Sequence, residues 1–113
     1  MKLHTEIKID AAHQLPNYEG KCSNVHGHTW KIVIELEGDK NLTTGMIVDF
    51  VEIKRIVNEL DHCNLNEKIT NPTAENLAEY LARKFLRLAS NIETVTVRVY
   101  ESESSYIEII TGL

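Results

Sequence analysis

The chain is poor in aromatic residues, at 6% of 113, which removes the stacking platform that a single-strand binder needs. It lacks a positive excess as well. Twelve lysines and arginines against 17 aspartates and glutamates leave a net charge of −5, so no basic stripe is available to displace counterions from a phosphate backbone, and nucleic acid is excluded as a partner. No apolar run approaches the length that crosses a bilayer, and Met1 to Glu6 have no apolar signal segment, so no membrane partner and a cytoplasmic location are expected. Five glycines and two prolines are too few for a disordered or fibrous chain. The two cysteines, Cys22 and Cys63, stand in unlike contexts, and no structural disulfide is expected.

What is present is an ordinary globular composition, 42% apolar and 26% charged, at a length that suits one domain over residues 1–113 with a single core. Leu3, Ile7 and Ile9 alternate with polar neighbours, which predicts a half-buried strand over Leu3 to Ile9. Gln14 to Val25, with Pro16, Asn17, Gly20 and Asn24, reads as a loop. Trp30, Ile32, Ile34 and Leu36 give the clearest strand pattern in the chain. Asp49 with Glu52 has the form of a helix cap, and Phe50, Ile53, Ile56, Val57 and Leu60 follow at helical spacing, predicting a helix over Phe50 to Leu60. A second start at Pro72-Thr73-Ala74-Glu75 leads into Leu77, Leu81, Phe85 and Leu88, with an end expected near Asn91. Alternation returns at Val95 to Val99 and again at Tyr106 to Ile110. The order ββααββ predicts an α+β fold: a four-stranded antiparallel sheet with two helices on one face.

The densest chemical signal is Cys22-Ser23-Asn24-Val25-His26-Gly27-His28. On an extended chain His26 and His28 point to one side, the side of Trp30 and Ile32, and buried neutral imidazoles need partners that a metal ion satisfies together. His13, at the end of the first strand, would lie across a hairpin from that pair. Three imidazoles suit zinc and leave a fourth position open, as in a catalytic site. A bare His-x-His would read as surface residues, and a closed site of Cys22 with three histidines is the structural alternative that spacing leaves standing.

Asp61-His62-Cys63 follows the first helix; the acid could orient the ring, although a helix C-terminal histidine favoured by the dipole accounts for the same residues. Cys63 reads as an incidental small side chain. Glu101 falls on the apolar parity of Val95, Val97 and Val99, so it either accepts paired N–H donors from a guanidine-like ring edge or is a rim residue beyond the strand. Thr73 and Glu75 read as capping residues.

Taken together, Ala11-Ala12-His13, Cys22 through His28, Asp49-Phe50, Leu60-Asp61-His62 with Leu65-Asn66, Pro72 to Glu75, and Val99-Tyr100-Glu101 resemble the 6-pyruvoyltetrahydropterin and 6-carboxytetrahydropterin synthase family over nearly the whole chain. The resemblance implies the tunnelling fold, with sheets of several subunits joined in a barrel, and a homo-oligomer, hexameric by that resemblance, with sites at subunit interfaces. It implies zinc on His13, His26 and His28, Cys22 as the proton acceptor assisted by Asp61 and His62, and Glu101 as the anchor of a pterin, with Thr73 beside the substrate. Three residues separate Cys22 from His26, the spacing of the carboxy-forming enzymes of queuosine biosynthesis; the pyruvoyl-forming enzymes carry a longer insertion. Ile9 and Ser23 depart from the usual phenylalanine and glycine. The implied reaction converts 7,8-dihydroneopterin triphosphate to 6-carboxy-5,6,7,8-tetrahydropterin, acetaldehyde and triphosphate. The pyruvoyl-forming lyase and a non-catalytic Cys-His zinc module are the alternatives. Val33, Tyr100 and Ile107 are expected on a second sheet face, available for subunit contacts.

Overall fold

A computed structural model describes residues 1–16, 19–20 and 24–112. Strand β1 (Lys2–His13) alternates buried and exposed side chains along its length, and pairs antiparallel with β2 (His26–Gly38) from Lys2↔Glu37 to His13↔His26. Both strands run further than the apolar alternation predicts. Alanine and histidine weaken the pattern after Ile9, but the backbone ladder continues to His13 and sets that residue against the histidine pair.

Helix α1 (Phe50–Asn58) starts at Asp49, whose carboxylate accepts from the Val51 N–H at 2.9 Å, and buries Ile53, Ile56 and Val57. It ends two residues earlier than Leu60. A two-residue strand β3 (Cys63–Asn64) then pairs parallel to β1, opposite Ala11 and Ala12. Helix α2 (Ala74–Leu86) buries Leu77, Leu81 and Phe85, and stops short of Asn91; Leu88 still packs against the core, so the apolar stripe outlasts the helix. Strands β4 (Ile92–Tyr100) and β5 (Tyr106–Gly112) complete a sheet of order β3-β1-β2-β4-β5.

The sheet therefore has five strands and is mixed, where four antiparallel strands were expected. A two-residue strand is too short to show a period; its pairing comes from tertiary contact, as when the His62 N–H donates to the Asp10 carbonyl at 2.7 Å. The expected two-helix α+β layering holds: one core joins Trp30, Ile32, Ile34, Val97 and Val99 of the sheet to the apolar faces of both helices. Ile107 is not on the second face. It pairs with Val99 and packs against the core, and Val33 is almost fully buried within its own face. No helix among the described residues is long and apolar enough to cross a membrane.

Candidate metal centre and adjoining clefts

His13 is fully buried at the end of β1, with the edge of Trp30 5.1 Å away between ring centroids. Its Nδ1 lies 2.7 Å from the Pro72 carbonyl oxygen; that oxygen only accepts, so Nδ1 carries the proton. His26 is fixed the same way, with Nδ1 2.7 Å from the Asn24 carbonyl oxygen. Both Nε2 atoms are thereby left as bare lone pairs in the neutral rings, yet they stand 2.9 Å apart. Two lone pairs facing at that distance repel unless a proton or a metal ion lies between them.

His28 closes the triangle, its ring 5.0 Å from His13 and 4.8 Å from His26. Its Nε2 is buried without a hydrogen bond. Glu101 Oε1 stands 3.4 Å away, close enough for an ion pair were His28 charged, but not in hydrogen-bonding geometry. Burial is the main reason the His28 pKa is held below its ordinary 6.5; Glu101 opposes that shift, and the neighbouring His13 and His26 add to it. The ring is neutral at pH 7, so the contact with Glu101 is not a salt bridge there. One donor atom from each of the three histidines lies within 4.8 Å of the others, and together they could hold a metal ion.

Glu101 sits just past β4, where its N–H donates to the Ser105 carbonyl at 3.2 Å. Its side chain is 41% exposed, which makes it a rim residue, but a rim residue aimed at the histidine cluster. It also lines a cleft of about 160 Å³ with Ala74, Glu75 and Tyr106. Thr73 caps α2 as expected, its hydroxyl accepting from the Asn76 N–H at 3.1 Å, and so adjoins that cleft through Ala74.

Asp61 and His62 lie outside the three-histidine cluster, at the sheet edge. Asp61 Oδ1 accepts from the Asp10 N–H at 2.8 Å and is 3.2 Å from His62 Nδ1. His62 has a φ of 58°, uncommon for a residue with a side chain, and its imidazole is largely exposed. An open cleft of about 590 Å³ brings His62 and Cys63 together with His28, Gly27 and Asp10. Cys22 lies outside the described residues. The Cys63 thiol donates to the Glu59 carbonyl at 3.3 Å, a bond that suits an incidental residue.

Several supporting residues escape sequence reading. Asp10 receives the Thr29 hydroxyl at 2.6 Å while its backbone holds both Asp61 and His62. Asn66 exchanges two hydrogen bonds with the Gln14 backbone, each 2.8 Å. Pro72 and Asn24 act through backbone carbonyls, which carry no side-chain signature; the parity of Asp10 and Thr29 on paired strands was the only available clue.

The model of the family described as 6-pyruvoyl tetrahydropterin synthase matches residues 2–111. The chain belongs to this family. A putative 6-carboxy-5,6,7,8-tetrahydropterin synthase of Archaeoglobus fulgidus is 41% identical over 96% of this chain and 95% of its own. A dihydroneopterin monophosphate aldolase of Pyrococcus furiosus is 30% identical over 89% and 90%. Among solved structures, the 6-pyruvoyl tetrahydropterin synthase of Caenorhabditis elegans superposes with a TM-score of 0.74 at 25% identity, covering 99% of this chain and 96% of that one. The fold is the tunnelling fold of that family, with a fifth, two-residue strand on the β1 edge.

Proposed function

We propose that this chain is a zinc-dependent lyase that converts 7,8-dihydroneopterin triphosphate to 6-carboxy-5,6,7,8-tetrahydropterin, with loss of acetaldehyde and triphosphate. The observation that carries the reading is the convergence of three imidazoles, two with Nδ1 pinned to carbonyl oxygens, beside a rim carboxylate. Relatives named for this product support it.

The donor set fits zinc: His13, His26 and His28 are neutral nitrogen ligands, and the Pro72 and Asn24 carbonyls hold two of them in the metal-binding tautomer. When bound, zinc supplies Lewis acidity toward the hydroxyls of the substrate side chain. Glu101 accepts the paired N–H donors of the pterin ring, with Thr73 bordering that end of the site. Cys22 takes a proton from the side chain, and the Asp61–His62 pair assists, with Asp61 orienting the ring at 3.2 Å. The terminal strands β3 and β5 are open edges, and association of several copies, hexameric by family resemblance, covers them.

Product analysis tests the reading. Purified protein incubated with 7,8-dihydroneopterin triphosphate is expected to release 6-carboxytetrahydropterin and acetaldehyde, identified by mass spectrometry. A pyruvoyl product reassigns it to the sister lyase, and turnover of the monophosphate alone aligns it with the aldolase. A zinc-loaded protein that consumes neither substrate, with sulfur in the metal shell by X-ray absorption, makes it a closed Cys-His module.

A further inference from the structure

On the face of the sheet away from the helices, three β1–β2 pairs are chemically matched, while Glu6 stands across from the apolar Val33. Lys2 stands across from Glu37 with Nζ 3.2 Å from Oε1, His4 across from Glu35 at 2.8 Å, and Asp10 across from Thr29 at 2.6 Å. Lys8 is set directly across from Lys31. Like charges opposite one another weaken a strand pair. Lys31 has partial relief from Glu6 at 3.9 Å and the Tyr100 ring at 4.1 Å, whereas the Lys8 side chain has no hydrogen bond or ion pair among the described residues. A like-charge pair imposed by the strand register is a place where function is to be sought.

The two lysines wall a pocket of about 190 Å³ with Thr29, Tyr100, Ser102 and Glu103. That volume is below the roughly 300 Å³ at which pockets begin to enclose a whole drug-sized ligand, and suits a narrow chain. Ser102 offers a hydroxyl donor. Thr29 spends its proton on Asp10 and serves as wall. Glu103 is the one carboxylate of the lining, exposed on the β4–β5 turn. Thr29 also lines the larger cleft that holds His28 and His62, so the two spaces share a wall.

We propose that Lys8 and Lys31 form an anion subsite that takes a polyphosphate chain. Two lysines set opposite one another by the strand register and lining one pocket offer a linear phosphoanhydride two cationic contacts, and the bound anion offsets the repulsion of the like-charge pair. The chain has two sources: the tail of a substrate bound in the neighbouring cleft, which rests on the function proposed above, or free polyphosphate.

Inorganic tripolyphosphate is the probe, titrated calorimetrically into the wild-type protein, Lys8→Gln, Lys31→Gln and, as a control on α1, Lys54→Gln. Wild type and Lys54→Gln are expected to bind, with affinity falling as salt rises; each pocket variant is expected to bind about tenfold more weakly or worse, as the loss of a charge-assisted contact implies. Unliganded Lys8→Gln is expected to melt at a higher temperature than wild type, because the like-charge pair is gone, and to lose the thermal shift that tripolyphosphate gives. No binding by wild type, or equal binding by the pocket variants, overturns the proposal and leaves the lysines to an acidic surface of a second copy. The source is read from kinetics: a raised KM for 7,8-dihydroneopterin triphosphate at unchanged kcat in Lys8→Gln assigns the tail, and an unchanged KM with lost tripolyphosphate binding assigns the free anion. Because the titration needs no turnover, a failure of the proposed reaction and a failure of this subsite are seen separately.

Discussion

Gly38 lies against the backbone of Asn91 so closely that a Cβ on Gly38 would stand 2.0 Å from the Asn91 carbonyl oxygen. The contact closes the end of the β2–β4 ladder, where the register slips between Glu37 and Gly38, and the Asn91 side chain ties it further by donating to the Asp39 and Ile47 carbonyls. Gly38→Ala must push backbone against backbone. It is expected to lower stability by about 1–3 kcal/mol, the usual range for overpacking, seen as a lower urea midpoint. An unchanged midpoint would mean that the strand ends part without cost.

Removing His13 takes away a donor whose tautomer is fixed by Pro72, and leaves His26 Nε2 without its neighbour. His13→Ala and His26→Ala are each expected to lose zinc, measured by elemental analysis after purification in zinc-supplemented buffer. His26 is the less buried of the two, so its variant reads metal loss with less risk of misfolding. Wild-type zinc content in both would sink the metal assignment.

Glu101 is half-exposed, and its substitution should leave the core intact. In Glu101→Gln an amide replaces the carboxylate proposed to accept two ring N–H donors. Loss of a charge-assisted pair, about 1.5–3 kcal/mol, corresponds to roughly ten- to hundredfold weaker pterin binding. Zinc content should not change. Equal affinity for a dihydropterin in direct titration would return Glu101 to a purely structural place at the strand end.

The two thiols are expected to separate cleanly. Cys22→Ala should keep zinc and pterin binding but lose about a hundredfold or more in kcat, the contribution of a general base. Cys63→Ala should stay active, since its thiol is occupied by the Glu59 carbonyl. Zinc loss in Cys22→Ala would make that sulfur a ligand.

His4 is clasped between two carboxylates, Nδ1 2.8 Å from Glu35 and Nε2 3.0 Å from Glu6. The hydrogen bond to Glu35, then that to Glu6, raises the His4 pKa above its ordinary 6.5, while the bonds from His4 hold Glu35 and Glu6 below 4.5. A raised histidine stabilises the fold fully below pH 6.5, an effect lost as pH rises through its folded value. The lowered carboxylates stabilise it above pH 4.5, an effect lost as pH falls through theirs. The stability difference between wild type and His4→Gln is therefore expected to be largest between pH 4.5 and 6.5, and to shrink with added salt because the groups are exposed. A difference that is flat with pH would contradict the clasp.

How the site came to be legible in advance is clearest at His26 and His28. Their parity with Trp30 is a property of an extended chain, and side-chain alternation put both on the core face before any contact was known. The caps at Asp49 and Thr73 were equally local, since each hydroxyl or carboxylate reaches only two or three residues along its own chain. Glu101 was half legible: parity aimed it at the right face, but its exposure depended on where β4 stopped.

Period-two and period-3.6 patterns thus determined the main strands, both helices and the faces on which the three histidines lie, because those features need only neighbouring residues. The tertiary structure decided what no period records. It added β3, whose two residues pair only because Asp10 meets His62; it locked His13 through a carbonyl 59 residues away; and it set Lys8 against Lys31. Each of these joins groups distant in sequence, and strand register and chain closure, rather than local preference, bring such groups within reach.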